Sequence, residues 1–209
     1  MNGNLDNPIV FIVDDDHRVR DALSSLISSL QLRVASFGSA AEFLESDKPD
    51  APACLILDLQ LPGVSGLELQ RKLAETDAPP IVFITGHGDI PSSVRAMKAG
   101  AIEFLSKPFS EEDLLRAIDA ALAVDRAARQ KRSELAELER HYRLLTPRER
   151  EVLPFVVAGF ANKQTAADLG TSEITIGVHR GQIMRKMCAR SLAELVRMAD
   201  KLGVSRATE

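Results

Sequence analysis

Cys54-Leu55-Ile56-Leu57-Asp58 is a run of four apolar residues that ends in a carboxylate. An uninterrupted apolar run of this length predicts a strand buried on both faces, as in a parallel sheet covered by helices. Two other apolar runs lead into charged residues, 9–13 into Asp14-Asp15-Asp16 and 102–105 into Lys107. Because ligands gather at the carboxyl ends of parallel strands, we expect these side chains to meet at one edge of a sheet.

The expected cluster of charges indicates a particular chemistry. Neighbouring carboxylates repel one another unless a cation lies among them, and a set of oxygen ligands suits Mg²⁺. A carboxylate beside a divalent ion and a lysine can accept a phosphoryl group, because the cations neutralise the charge that develops during transfer. An isolated aspartate at a strand end is more often a cap or turn residue, so the interpretation of Asp58 depends on its charged neighbours.

Strand and helix patterns alternate through the first half of the chain. This alternation predicts a parallel sheet with helices on both faces. Strand candidates lie at 9–13, 32–36, 53–57, 80–84 and 102–105, and helical patterns lie near 18–30, 39–46, 65–75, 91–99 and from 111 onward.

Charge is divided unevenly along the chain. Residues 1–125 contain 10 Lys and Arg against 20 Asp and Glu, a net charge of −10, whereas residues 126–209 contain 16 against 10, a net charge of +6. An acidic half joined to a basic half predicts two domains, the second with a polyanionic partner such as nucleic acid.

The composition argues against a membrane or secreted protein. Every apolar stretch falls short of the ~20 residues that span a bilayer, and no positive charge precedes the first one as it would in a secretory signal. We expect Cys54 and Cys188 to be free thiols in a reducing cytosol rather than a disulfide. A cytoplasmic protein without a membrane partner is therefore predicted.

The helical pattern that starts at Glu111 continues past the length that a small domain can cover. Its apolar positions alternate three and four residues apart from 114 to 145, with one break at Lys131. This heptad seam predicts a coiled coil that joins two copies of the chain. The alternative is a solvated helix that packs only against its own domain.

The end of the chain predicts a compact all-α module. Thr146-Pro147-Arg148-Glu149 combines an N-cap, a proline in the first turn and a capping glutamate, which together mark a helix start. Three shorter helical patterns follow near 161–169, 173–187 and 191–202.

Seven short motifs follow one another in order along the chain. They are Val13-Asp14-Asp15-Asp16, 57–63 around Asp58, Thr85-Gly86-His87-Gly88, Lys107-Pro108-Phe109, 145–152, Asn162-Lys163 and Val178-His179-Arg180. Together they resemble a two-component response regulator of the NarL/FixJ class. The first four are similar to a CheY-like receiver, and the last three to a LuxR-type helix-turn-helix.

The resemblance implies a fold and a domain organisation for the whole chain. The fold would be an α/β, doubly wound, flavodoxin-like receiver with a five-stranded parallel sheet, then a long connecting helix and an all-α, four-helix LuxR-type domain. The receiver would occupy 1–118, and the DNA-binding domain would occupy 145–209. A helical linker at 119–144 would continue the last receiver helix, as a coiled coil.

The resemblance also implies roles at the predicted sheet edge. Asp58 would be the phosphoacceptor. Asp58, Asp15 and the backbone carbonyl of Gln60 would ligate Mg²⁺, with Asp14 reaching the ion directly or through water. Lys107 would pair with the carboxylate and later with the phosphoryl oxygens.

A switch beside the phosphoacceptor is implied as well. The Thr85 hydroxyl would bind the phosphoryl group, and Phe104 would turn inward as Thr85 moves. The Lys107–Pro108 peptide bond would be cis. His87 and Gln60 would tune the hydrolysis of the acyl phosphate.

The helix near 173–187 would enter the major groove of DNA. Val178 can contact a thymine methyl, and Gln182 can pair with adenine, while His179 is expected to be mostly buried. Gly177 stands where LuxR-type modules commonly carry lysine, which either weakens DNA binding or lets the helix lie closer to the bases. The predicted DNA contacts are Lys163, Thr175, Val178, Arg180, Gln182, Arg185 and Lys186.

These features predict a transcription factor switched by phosphorylation, not a turnover enzyme. Its partners would be a sensor histidine kinase, duplex DNA with two-fold-related half-sites, a second copy of the chain as a homodimer, and RNA polymerase. One alternative is a phosphate-sink or interaction protein whose DNA binding is weakened by Gly177. Another is an aspartate-nucleophile phosphohydrolase, although such enzymes usually place a second aspartate where this chain has Gln60.

Overall fold

The computed structural model describes residues 7–86 and 90–204, so the predicted role of His87 lies outside the described residues. Contacts within the chain separate two compact units, Met1–Arg129 and Gln130–Glu209. No helix of the described ranges is long and apolar enough to cross a membrane.

The first unit contains the predicted five-stranded parallel sheet. Its strands are β1 (Ile9–Val13), β2 (Arg33–Phe37), β3 (Ala53–Asp58), β4 (Ile81–Thr85) and β5 (Glu103–Ser106). They pair in the order β2-β1-β3-β4-β5. Because β1, β3 and β4 are buried throughout, their sequences are continuous apolar runs. The strand order reverses between β1 and β3, and ligands of such sheets bind at that point.

Helices cover both faces of this sheet and form two hydrophobic cores. They are α1 (His17–Ser29), α2 (Ala40–Glu45), α3 (Gly66–Leu73), α4 (Ile90–Lys98) and α5 (Glu111–Arg143). Side chains of β3 alternate between the cores, since Leu55 and Leu57 pack with α2, α3 and α4, whereas Cys54 and Ile56 pack with α1 and α5. This packing fixes the position of Asp58 at the end of the strand.

Only the middle of the heptad seam on α5 is exposed. Leu114, Ala117 and Ala121 are buried in the core of the first unit, and Tyr142 packs against the core of the second. The exposed positions between them are Val124, Ala128, Lys131 and Leu135. The coiled coil stays a prediction, and a second copy can meet only this short exposed part without displacing core residues.

A buried carboxylate fastens α5 to the start of β3. Asp125 Oδ2 accepts a hydrogen bond from the Ala53 N–H at 2.9 Å and another from Arg129 Nε at 2.7 Å. Arg129 also forms an ion pair with Asp50, in the loop that precedes the strand. The part of α5 up to Arg129 is thus an integral part of the first unit.

We expect Asp125→Ala to destabilise the first unit by about 1–3 kcal/mol, because it leaves the buried Ala53 N–H without an acceptor. Hydrogen exchange of the Ala53 amide should accelerate, and the urea midpoint of the first unit, followed by circular dichroism, should fall. Asp119→Ala, at an exposed position of the same helix, is the matched control. Equal stability of the two variants would contradict the anchoring role.

The second unit is all-α, as predicted. It contains α6 (Pro147–Val157), α7 (Asn162–Asp168), α8 (Glu173–Lys186) and α9 (Leu192–Lys201), together with the end of α5. The predicted capping box forms at the start of α6, since Thr146 and Glu149 each accept a hydrogen bond from the backbone N–H of the other. Both cysteines are free. Cys188 lies beyond the end of α8 and has a φ of 56°.

Candidate functional site

Three carboxylates meet where β1 and β3 end. Asp14, Asp15 and Asp58 each place an oxygen within 4.8 Å of the other two. Asp14 is fully buried and Asp58 is 7% exposed, whereas Asp15 is exposed. The third acid of the run, Asp16, has a structural task, because it caps α1 by accepting a hydrogen bond from the Arg18 N–H. This set of carboxylate oxygens fits the ligand preference of Mg²⁺.

Lys107 joins the cluster from the loop after β5. Its Nζ lies 2.8 Å from Asp14 Oδ2 and 3.4 Å from Asp58 Oδ2. The Lys107–Pro108 peptide bond is cis, as predicted, and the Lys107 N–H donates to the Thr85 carbonyl at 2.7 Å. The structure therefore brings the predicted charged side chains together at this edge, and their chemical roles stay predictions.

The surroundings perturb both partners of the Lys107–Asp58 contact. Burial raises the pKa of the Asp58 carboxyl, and the Gln60 N–H and Lys107 offset this only in part. Burial alone would lower the pKa of Lys107, but its hydrogen bond to Asp14 and the charges of Asp58 and Asp14 outweigh it, so its pKa is raised. Lys107 is thus held as a cation beside a carboxylate whose charge a further cation would stabilise.

The two predicted switch residues lie on neighbouring strands. Thr85 ends β4 and is fully buried, next to the acidic cluster through the backbone contact with Lys107. Phe104 is half-buried in β5, and its ring centre lies 6.2 Å from that of Phe83. The structure places both residues near the site, and their movement stays a prediction.

Gly66 is a residue of this site that the sequence interpretation missed. A Cβ at this position would lie 2.4 Å from the Asp58 carbonyl oxygen and 3.0 Å from the Phe83 ring, so no side chain fits. Its N–H donates to the Leu59 carbonyl at 3.0 Å. The start of α3 therefore packs directly on the chain that carries the phosphoacceptor candidate. The capping pattern Ser65–Glu68 marks the helix start but gives no sign of this close approach.

The second unit presents one face of α8 to solvent. Gly177, Val178, Gly181 and Arg185 are exposed, while Gln182 is half-buried. The predicted contacts Lys163 on α7 and Thr175 on α8 are exposed and half-buried respectively. A Cβ on Gly177 would have only Asn162 Nδ2 nearby, at 3.6 Å, so this glycine is not required by packing.

Two predicted DNA contacts bind residues that lie outside α8, in other parts of the unit. Lys186 Nζ donates to both carboxylate oxygens of the buried Glu149, at 3.0 and 2.7 Å. Arg180 Nη1 donates to the Phe160 carbonyl at 3.1 Å. These contacts indicate that Lys186 and Arg180 hold α8 in place. This role could not be predicted from the sequence, because the partners lie 37 and 20 residues away along the chain. His179 is partly exposed but mostly buried, as predicted.

Both units match known protein families. Residues 10–119 match the family described as response regulator receiver domain, and residues 143–199 match the family described as bacterial regulatory proteins, luxR family. These families correspond to the unit with the acidic cluster and to the unit with the exposed α8 face.

Relatives match the chain over nearly all of its length. Nodulation protein W of Bradyrhizobium diazoefficiens is 51% identical over 94% of this chain and 87% of its own. The transcriptional regulatory protein FixJ of Azorhizobium caulinodans is 44% identical over 96% of this chain and 95% of its own. The solved structure of the response regulator StyR is 50% identical and superposes with a TM-score of 0.83, covering 93% of this chain and 99% of its own. The chain therefore belongs to the two-component response regulators of the NarL/FixJ class, which are transcription regulators with a receiver and a LuxR-type DNA-binding domain rather than turnover enzymes.

Proposed function

We propose that Asp58 accepts a phosphoryl group from a phosphohistidine of a sensor kinase and that this reaction controls DNA binding by the second unit. The observation that carries the proposal is the contact of Lys107 with both Asp14 and Asp58 at the switch point of the sheet. In this contact the carboxylate that we propose as the nucleophile lies beside the Lys107 ammonium, in a chain whose other unit matches a family of DNA-binding regulators.

The reaction forms a bond from an Asp58 oxygen to phosphorus while the bond from phosphorus to the histidine nitrogen breaks. Asp14, Asp15, Asp58 and the carbonyl of Gln60 would hold Mg²⁺, which supplies positive charge for the phosphoryl oxygens. Lys107, released from its contact with Asp58, contacts the same oxygens. The Asp58 carboxylate is held ready by the Gln60 N–H, which donates to its Oδ1 at 3.2 Å.

The proposed switch begins at Thr85. Its hydroxyl turns toward the phosphoryl group, which leaves room for the half-buried Phe104 ring to move inward. This change alters the surface formed by α4, β5 and α5, through which two receivers associate. Two DNA-binding domains then meet two-fold-related half-sites on duplex DNA, next to RNA polymerase.

DNA contacts divide into two groups in this proposal. Val178 and Gln182 on α8 meet base edges, since an α-helix fits the major groove. Thr175 and the basic side chains contact phosphates, which give affinity without sequence information. The predicted basic contacts are the exposed Lys163 and Arg185, together with Arg180 and Lys186, which also hold α8 to the rest of the unit.

The proposal also includes the predicted domain boundaries, with a receiver at 1–118, a helical linker at 119–144 and a DNA-binding domain at 145–209. It includes a location in the cytoplasm as well.

A titration of duplex DNA tests the proposal directly. We expect the full chain with beryllofluoride and Mg²⁺ to bind a two-fold site, selected from random duplexes, at least about tenfold more tightly than the untreated chain, because a dimer engages both half-sites. Light scattering should show a dimer under the same conditions. If the untreated chain is already a dimer, the exposed seam of α5 sets the oligomer and the switch acts through domain placement.

The alternative of a phosphate-sink protein rests on the exposed glycines of α8. It predicts normal phosphorylation of Asp58 together with DNA affinity that is weak and unchanged by beryllofluoride. That result would contradict the transcriptional role while leaving the receiver chemistry intact.

A further inference from the structure

Ile174 is a large apolar side chain that the described residues of its own unit leave largely uncovered. It is the second residue of α8 and is 81% exposed. Val178, one turn further along the same helix face, is 57% exposed. Burial of these two side chains against a partner would gain a favourable transfer free energy, so this part of α8 is suited to an apolar contact.

Two glycines lie beside these two side chains on α8. Gly177 and Gly181 occupy the same stripe of α8, and a Cβ on Gly181 would meet no atom within 4 Å. Ile174 and Val178 therefore project from a helix face that has little side-chain bulk between them. The exposed cations Lys163 on α7 and Arg185 two turns beyond Val178 on α8, in a half of the chain with a net charge of +6, favour a polyanion, not an apolar protein surface, as the covering partner.

We propose that Ile174 is a specificity-determining residue that packs on the 5-methyl group of a thymine in the major groove. This inference rests on the proposed function, since it requires that α8 enter the groove. Residues at the N-terminal end of a recognition helix contact base edges, and Ile174 is at that end. The thymine methyl is the apolar group that base edges present there.

Helix geometry relates this contact to the one predicted for Val178. Four residues of α-helix span about 6 Å, and base pairs are stacked about 3.4 Å apart. Ile174 and Val178 therefore contact methyl groups within about two base pairs of each other. A half-site preferred by this chain carries a thymine at each of these positions, on either strand.

Replacement of thymine by deoxyuridine tests the proposal, because it removes one methyl group and leaves the base pairing unchanged. The probe is a duplex selected from a random library by the full chain with beryllofluoride and Mg²⁺, in which each thymine is replaced in turn. We expect one replacement to weaken wild-type binding about fourfold through Ile174, and a second, within two base pairs, to do so through Val178.

The variants assign each methyl group to its side chain. Ile174→Ala should bind the thymine duplex at least about fourfold more weakly than the wild type does. The first replacement should then have no further effect on its affinity, whereas the second should still weaken its binding. Val178→Ala should become insensitive to the second replacement only. Leu192→Ala, which shortens an exposed apolar side chain on α9, should bind all duplexes like the wild type.

Three outcomes would overturn the inference or its basis. If Ile174→Ala binds every duplex like the wild type, the side chain is not at the DNA and a protein surface covers it. If Ile174→Ala binds all duplexes more weakly by the same factor and still responds to every replacement, the Ile174 side chain contacts the DNA backbone and not a methyl group. If the wild-type chain binds no duplex at all, the proposed function itself fails, which is a different result from either of these.

Discussion

Replacing Asp58 by asparagine is expected to abolish phosphorylation of the chain by a small donor such as acetyl phosphate. The amide nitrogen and oxygen cannot replace the anionic oxygen that attacks phosphorus, so incorporation should fall by about two orders of magnitude or more. Removal of Mg²⁺ with a chelator should give a comparable loss in the wild type, because the Lys107 ammonium beside Asp58 does not by itself replace the charge of a divalent ion. Intact-protein mass spectrometry after a fixed reaction time measures both effects.

The control for this prediction is Asp21→Asn, which changes an exposed carboxylate on α1 and should be phosphorylated like the wild type. Circular dichroism should show that both variants are folded. Phosphorylation of Asp58→Asn at the wild-type rate would mean that the reactive carboxylate lies elsewhere, and Asp14 and Asp15 would then be the first candidates.

Glu149→Ala is expected to destabilise the DNA-binding domain by about 3 kcal/mol. The change leaves the Lys186 ammonium, whose side chain is 23% exposed, without its partner, and breaking a buried ion pair in this way is strongly unfavourable. It also removes the acceptor for the Thr146 N–H at the start of α6. Urea unfolding can be followed by fluorescence of Tyr142, because this is the single tyrosine of a chain without tryptophan and it packs in the second unit.

Glu151→Ala is the matched control, since Glu151 forms an exposed ion pair with Arg148 that should contribute less than about 1 kcal/mol. The double variant Glu149→Leu with Lys186→Met should recover much of the loss, because it removes both charges together. Equal destabilisation by Glu149→Ala and Glu151→Ala would contradict a special role for the buried pair.

The same ion pair predicts how stability depends on pH. Burial alone would raise the pKa of Glu149, but hydrogen bonds from Lys186 and Thr146 outweigh it, so the pKa in the folded state is lowered from 4.5. The stabilisation is therefore fully present above the unfolded value of about 4.5 and is lost as the pH falls through the folded value. The free energy of unfolding of Glu149→Ala, measured by Tyr142 fluorescence, should lack this contribution to its pH dependence.

Much of the receiver could be predicted because its information is local. Strands β1 and β3 are buried on both faces, so their apolar runs stand out in the sequence. Asp14 directly follows β1, and Asp58 is the last residue of β3. The approximate positions of the helices also follow from capping residues and periodicity. The meeting of Lys107 with these acids follows from the rule that parallel strands share one carboxyl edge.

The missed features depend on contacts between distant parts of the chain. Asp125 binds the backbone of Ala53, Glu149 binds Lys186, and Gly66 lies against the Asp58 carbonyl, and no periodicity or motif records these pairings. The exposure of Ile174 was missed for a related reason. The position of an apolar residue at a helical start does not say whether it is buried, and only the packing of the described part of the unit shows that Ile174 lies away from its core.

The anchor between Asp125 and the start of β3 has a consequence for transplanting the receiver onto another effector. The receiver family match ends at residue 119, so a chimaera joined there would discard Asp125 and Arg129. The strand that it would loosen carries Asp58 at its opposite end. A junction placed after Arg129 keeps both ends of that strand fixed, and a chimaera that is to retain its response to phosphorylation should be joined there.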